Sequence, residues 1–428
     1  MKIRTGLGVT AIVMTGALLA GCSGGGAAPA STSGEITGTV TGIWDATFKS
    51  SIDPIAKAFE KEHPGVKMDI TYQGGDLSSV LSTQLQAGTA PDILITFPGG
   101  TPGAGGGTTV LTLASQGRLL DLSSSPWTKT IPDQWKSEVN YKDKTYAYPG
   151  IAQGMGAIYN QSTLDEYGLK IPTTLDEVFT LCADAKDQGV YAYAQGLGES
   201  TGGPQMMSYA QTATLVYGPD PDAAKETTDG TFDFAKSGWK DQLEIYKKMN
   251  DEGCFGEGAL GRDRAQGGDD VAAGRALGIV DVSAVMSAIQ AKAPDAKLAF
   301  APMPATNDAK ETVAAALLGY TLAINAKAKN PVAAQAFLEF LSEPKQIATH
   351  AAGFAALPAI PQEGYEAPAG LTEFAKYIDS GSFTKLPVWP NANTQDTINV
   401  AVQSLMLGND TVDSTLAKIQ AAYDKGAE

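Results

Sequence analysis

Between residues 36 and 97 the chain alternates two hydrophobic periods, and that alternation restricts its fold more than any other feature. Residues 36–44 form a β-rich run ending in Trp44. Asp53-Pro54 follows, an N-cap with proline at the first helical position. Ile55, Ala58 and Phe59 then make an apolar helical stripe that stops at His63-Pro64-Gly65. Val66, Met68, Ile70 and Tyr72 alternate with Lys67, Asp69 and Thr71, the period-two pattern of a strand with one buried face. Residues 78–87 read as a helix with Val80, Leu81 and Leu85 on one side, and residues 92–97 as a short apolar strand. Strand, helix, strand, helix, strand predicts an open α/β sheet.

The later chain repeats this grammar less regularly and shows no internal sequence repeat. Residues 240–249 place Leu243, Tyr246 and Met249 on one helical stripe, and Asn330-Pro331 caps a helix carrying Val332, Phe337, Phe340 and Leu341. Leu416, Ile419 and Tyr423 mark a closing amphipathic helix.

The N-terminus bears on the compartment. Lys2 and Arg4 precede an uncharged, mostly apolar stretch over residues 7–20, the layout of a secretory signal peptide spanning residues 1–21. It ends in Leu19-Ala20-Gly21-Cys22, which resembles a bacterial lipobox, whose Cys is lipidated and becomes the first residue. The alternative is an ordinary secreted signal with an incidental cysteine. Residues 22–35 are rich in Gly, Ala and Ser and cannot bury a core, so they read as a flexible tether. The expectation is a domain held at the outer face of the cytoplasmic membrane. With Cys22 assigned to lipid, Cys182 and Cys254 remain as an even pair in an oxidising compartment, so a disulfide is expected; the alternative is two buried thiols. With Lys2 and Arg4 removed, 29 basic residues face 47 acidic ones, a net charge of −18 that argues against nucleic acid as a partner.

The run Ala58-Phe59-Glu60-Lys61-Glu62-His63-Pro64-Gly65-Val66, followed by Ala87-Gly88-Thr89-Ala90-Pro91-Asp92, resembles the opening of the family 1 extracellular solute-binding proteins. These are maltose-binding-protein-like receptors of ABC importers. The resemblance continues through Gly117-Arg118-Leu119-Leu120-Asp121-Leu122, Tyr146-Ala147-Tyr148-Pro149, Ile158-Tyr159-Asn160 and Val271-Ala272-Ala273-Gly274-Arg275-Ala276-Leu277, and so covers most of the chain in order. One departure is Val280-Asp281-Val282-Ser283, where many relatives carry a glycine and a stacking tryptophan. The resemblance implies an α/β, two-lobed periplasmic-binding-protein fold of type II, with three hinge crossings and a ligand cleft between the lobes. Crossings are expected near Tyr148-Pro149-Gly150, Phe300-Ala301-Pro302 and Leu357-Pro358, where proline or glycine punctuates the chain. The N-terminal lobe then comprises residues 36–148 and 301–356, and the C-terminal lobe residues 149–300 and 357–428.

The resemblance further implies a carbohydrate ligand, of di- or oligosaccharide size, delivered by hinge closure to ABC permease subunits. It implies a monomer with no cofactor and no catalytic residues. Residue inventory agrees with part of this. Only His63 and His350 are present, poor material for a Ser-His-Asp triad or a His-based zinc site, and no metal is expected. Glycine-rich residues 98–107 lack the lysine of a phosphate cradle. Asp220, Asp222, Asp229 and Asp233 do not match an EF-hand spacing. Asp45, Glu199 and Asp281 could serve either as glycosidase carboxylates or as acceptors for sugar hydroxyls, and composition does not separate these.

Ligand contacts in open α/β sheets lie at strand C-termini, so Trp44 and Asp45, Gln73 and Gly74, and Phe97 are candidates in the first lobe. Gln153, Glu199, Asp281, Tyr320, Trp389 and Asn393 complete the set, whereas Trp127, Trp135 and Trp239 have no cleft argument. Two other readings stay open: the same fold holding a non-sugar solute, and a secreted glycoside hydrolase.

Overall fold

The computed structural model describes residues 35–100, 107–198 and 203–426. The expected signal peptide, Cys22 and the tether up to residue 34 therefore lie outside the described residues, as do Glu199 and residues 101–106. Its strands are β1 (Gly38–Asp45), β2 (Val66–Gln73), β3 (Ile93–Thr96), β4 (Asn140–Tyr141), β5 (Lys144–Thr145), β6 (Ala147–Tyr148) and β7 (Ile151–Asn160). These are followed by β8 (Tyr191–Tyr193), β9 (Ala276–Val282), β10 (Leu298–Ala301), β11 (Ala314–Leu318), β12 (Thr321–Ile324), β13 (Leu357–Pro358) and β14 (Phe383–Lys385).

Two sheets form the two lobes. The first runs β2-β1-β3-β12-β6; the second runs β14-β11-β7-β9-β8, with β10 and β13 also paired to β7. β1 is flanked in parallel by β2 and β3, and helices Lys49–Glu62 and Leu77–Ala87 supply the crossovers, as the periodicity predicts. The first of these helices begins earlier than expected. Asp45 accepts from the Thr47 amide, and a short turn over Ala46–Phe48 leads directly into the helix, leaving Pro54 inside it. Asn330 caps its helix as read, its side chain accepting from the Ala333 amide.

Three connections join the sheets. The chain leaves the first between Tyr148 and Ile151, where Gly150 adopts φ +65°, a left-handed conformation that favours glycine. It returns between Leu318 and Thr321, because β11 pairs with β7 and β12 pairs with β3 and β6. This corrects the second crossing expected near Phe300-Ala301-Pro302. β10 is antiparallel to β7, and residues beyond it stay on the second lobe, where Thr306 accepts from the Leu175 amide. Residues 302–318 thus accompany the C-terminal lobe rather than the N-terminal one. Pro302 ends a strand, and strand termination says nothing about which sheet the chain joins next. The third passage lies at β13, which pairs with Ile151 and Ala152. The amides of Gly319 and Ala359 donate to the carbonyls of Ile151 and Gly150, so the three connections lie side by side.

The first lobe packs helices Lys49–Glu62 and Pro331–Leu341 on its sheet, with Phe59 and Phe337 in edge contact at 5.3 Å. Burying side chains of this size stabilises by roughly 1.5–3 kcal/mol each. In the second lobe, Trp239, Leu243, Tyr246 and Met249 of helix Trp239–Asp251 bury completely beside Phe234 and Tyr423. A Cys182–Cys254 disulfide ties helix Leu175–Asp187 to the turn beyond Trp239–Asp251, with Cα atoms 4.8 Å apart.

Candidate functional site

A cavity of about 870 Å³ opens between the lobes. Its first-lobe wall grows from the turn after β1 and the ends of β3 and β12. Phe48 stacks on Phe354 with ring centroids 4.0 Å apart, Tyr320 meets Phe48 at 5.3 Å, and Phe97 meets Tyr320 at 4.9 Å. The four rings form one continuous belt, and all four line the cavity. Behind it, buried His350 packs against Phe48 and Phe354, with Nδ1 3.0 Å from Ser51 Oγ. Burial holds the imidazole pKa down at about 4, because a charged ring has no water there. Burial, and then the nearby Asp45 charge, raises the Tyr320 hydroxyl pKa and keeps it neutral.

The opposite wall is largely aliphatic. Val285 and Ala288, from helix Val285–Lys292, face the cavity with Leu386, Pro387 and Val388 from the loop after β14. Gln153 reaches in from β7; among the described residues its amide has no hydrogen-bond partner, leaving donors and an acceptor open. Glu138 and Lys385 also line the cavity but bond to each other at 2.9 Å, and Lys385 Nζ additionally donates to Ser137 Oγ.

The structure brings Phe97, Gln153 and Tyr320 together and disperses the other expected residues. Trp44 is fully buried, in edge contact with Phe337 at 6.2 Å. Its strand position was right but its face was not: Trp44 shares the helix-covered side of the sheet with Val40. Asp45 caps the turn, its carboxylate accepting from the Thr47 amide and hydroxyl, and Thr47 rather than Asp45 lines the cavity. Gln73 donates to the Gly74 carbonyl, and neither belongs to the lining. Asp281 is wholly buried in a bidentate pair with Arg264, whose Nε lies 2.8 Å from Oδ2. Trp389 turns inward, donating to Tyr209 Oη at 2.7 Å and stacking near Phe234. Asn393 falls in the first turn of helix Ala392–Met406. Glu199 is outside the described residues.

Sequence reasoning missed Phe48, Phe354, Trp135, Glu138, Lys385 and Val388, all in the lining. Two had a usable signal. Phe48 follows a strand C-terminus by three residues, and Gly353-Phe354 stands just before the crossing at Leu357. Trp135 had none; it reaches the cleft by packing on Phe383 of the other lobe at 5.4 Å.

A family model described as "Bacterial extracellular solute-binding protein" matches residues 45–348. The chain is 24% identical over 295 residues to the melibiose/raffinose/stachyose-binding protein MelE of Bacillus subtilis, covering 68% of this chain and 66% of MelE. It is 31% identical over 161 residues to a maltooligosaccharide ABC transporter solute-binding lipoprotein of Streptococcus pneumoniae, covering 37% of this chain and 33% of that protein. In structure it is similar to the apo form of RafE from Streptococcus pneumoniae, with a TM-score of 0.76 at 19% identity, over 92% of this chain and 99% of that one.

Proposed function

Because the chain belongs to the bacterial extracellular solute-binding protein family, we propose that it captures a carbohydrate in the interlobe cleft and delivers it to an ABC import permease. The observation that supports this best is the belt Phe354–Phe48–Tyr320–Phe97 facing the open amide of Gln153. Ring faces cover the C–H side of a pyranose, and an amide offers both donors and an acceptor to its hydroxyls. A ligand touching both walls favours the closed hinge through its differential affinity for that state. The names of the relatives point to α-galactosides and maltooligosaccharides as first trials. The matching family is one of extracellular solute-binding proteins, which favours a receptor over an enzyme. Lipidation of Cys22 keeps it at the outer face of the membrane as a tethered monomer.

The test is a thermal-shift screen with melibiose, raffinose, stachyose and maltotriose, followed by calorimetric titration. A ligand at 100 times its dissociation constant stabilises by about 2.7 kcal/mol. Small-angle scattering should show a smaller radius of gyration in the presence of any sugar that binds. Absence of binding across a wide carbohydrate panel overturns the reading.

A further inference from the structure

We propose that the cleft takes a sugar bearing an apolar aglycone, an aryl or alkyl glycoside, rather than a free sugar. The inference rests on the carbohydrate reading above and follows from the chemistry of the two walls. One wall is the four-ring belt, along which Phe97 retains 36% of its surface in solvent. The other presents Val285, Ala288, Leu386 and Val388, and Val388 is 43% exposed. Phe97 and Val388, large apolar side chains standing in water, therefore face the same cavity from opposite lobes.

A free pyranose has an apolar face for the rings, but its hydroxyls project around the whole rim. Each hydroxyl that leaves water needs a new partner, or its desolvation goes uncompensated. The polar groups on the second-lobe side are few and mostly engaged. Lys385 holds Glu138 and Ser137, and Ser287 Oγ donates to the Gly353 carbonyl across the lobes. Gln153 is the polar handle left on that side among the described lining residues. That amide, with the Thr47, Ser50 and Tyr320 hydroxyls on the first-lobe side, can serve about one glycosyl unit, while a cavity of about 870 Å³ is far larger than one unit needs. The remaining space is walled by rings on one side and aliphatic groups on the other. Apolar ligand surface placed there loses water at no cost in hydrogen bonds.

The experiment uses pairs that share a glycone: galactose with phenyl α-galactoside, maltose with phenyl α-maltoside, and glucose with octyl β-glucoside below its micellar concentration. Titration calorimetry is run on the full mature chain. In at least one pair the glycoside should bind about tenfold or more tighter than the parent sugar, the amount expected from burying an added ring or chain. Val388→Asn, at an exposed position, should shrink the ratio of glycoside affinity to parent-sugar affinity severalfold. Parent sugars that bind as well as or better than their glycosides overturn this inference alone and leave the carbohydrate reading standing. Equal loss of both ligands in Val388→Asn also overturns it. If neither these compounds nor the raffinose and maltooligosaccharide panel bind, the carbohydrate reading fails and the inference falls with it.

Discussion

Lys385 Nζ lies 2.9 Å from Glu138 Oε1, joining β14 of the second lobe to helix Asp133–Val139 of the first across the cleft. Glu138 is mostly buried and Lys385 is a third exposed, so the attraction is only partly screened. Trp135 and Phe383 pack alongside, and together the four side chains favour the arrangement in which the cleft walls face each other. A double-mutant cycle with Glu138→Gln and Lys385→Met, read by ligand affinity, should give a coupling of about 1 kcal/mol. Additive losses would mean that the pair does not bias the hinge.

Phe97 and Trp389 should separate binding from stability. Phe97→Ala removes an exposed ring from the belt and should weaken ligand binding by about 1 kcal/mol with little change in Tm. Trp389→Ala empties a site against Tyr209 and Phe234 and should cost about 3 kcal/mol of unfolding free energy. Denaturant titration beside calorimetry distinguishes the two.

Asp281 is expected to matter for folding and not for ligand affinity. Its carboxylate is buried and bonded twice to Arg264, so Asp281→Ala strands a cation that is still partly in water. A loss of about 2–3 kcal/mol in urea denaturation should accompany an unchanged dissociation constant. A tenfold loss of affinity in a folded Asp281→Ala protein would return this residue to the binding site.

The Cys182–Cys254 bridge closes a loop of 72 residues, worth about 4 kcal/mol on the chain-entropy account. Scanning calorimetry with and without reductant should show a lower Tm for the reduced protein. Peptide mapping of natively secreted protein without reductant should recover the linked pair; recovery of two free thiols contradicts it.

His350 makes stability fall as pH falls. Its folded pKa, about 4, lies below its ordinary 6.5, so between these values the unfolded chain binds the extra proton. The contribution is complete above pH 6.5 and is lost progressively towards pH 4, amounting to roughly 3 kcal/mol. Urea titrations at pH 7 and pH 4.5 should show a smaller pH dependence for His350→Gln than for the native chain. Identical slopes would contradict a buried neutral imidazole.

Local periodicity sufficed for the elements that carry the fold. The Val66-to-Tyr72 alternation, the Asn330 cap and the helix over Trp239–Asp251 are set by backbone geometry and side-chain solvation within a few residues, so they could be read directly. Pro149-Gly150 and Leu357-Pro358 likewise marked passages between the sheets. Pairing and facing were different. Whether β11 joins β7 or the first sheet depends on partners more than 150 residues away, which moved the second passage from Pro302 to Gly319. Trp44 and Trp389 looked like cleft aromatics because a strand end and a loop expose side chains in either direction. The helix covering β1 and the pocket around Tyr209 drew both rings inward. Phe48, Trp135 and Val388 became cleft residues for the converse reason, since only the meeting of two separately folded lobes puts them on one surface. The sequence by itself therefore determined which segments become strands and helices, because those preferences are local. Tertiary structure decided which side chains line the cleft, because that depends on contacts between segments far apart in the chain.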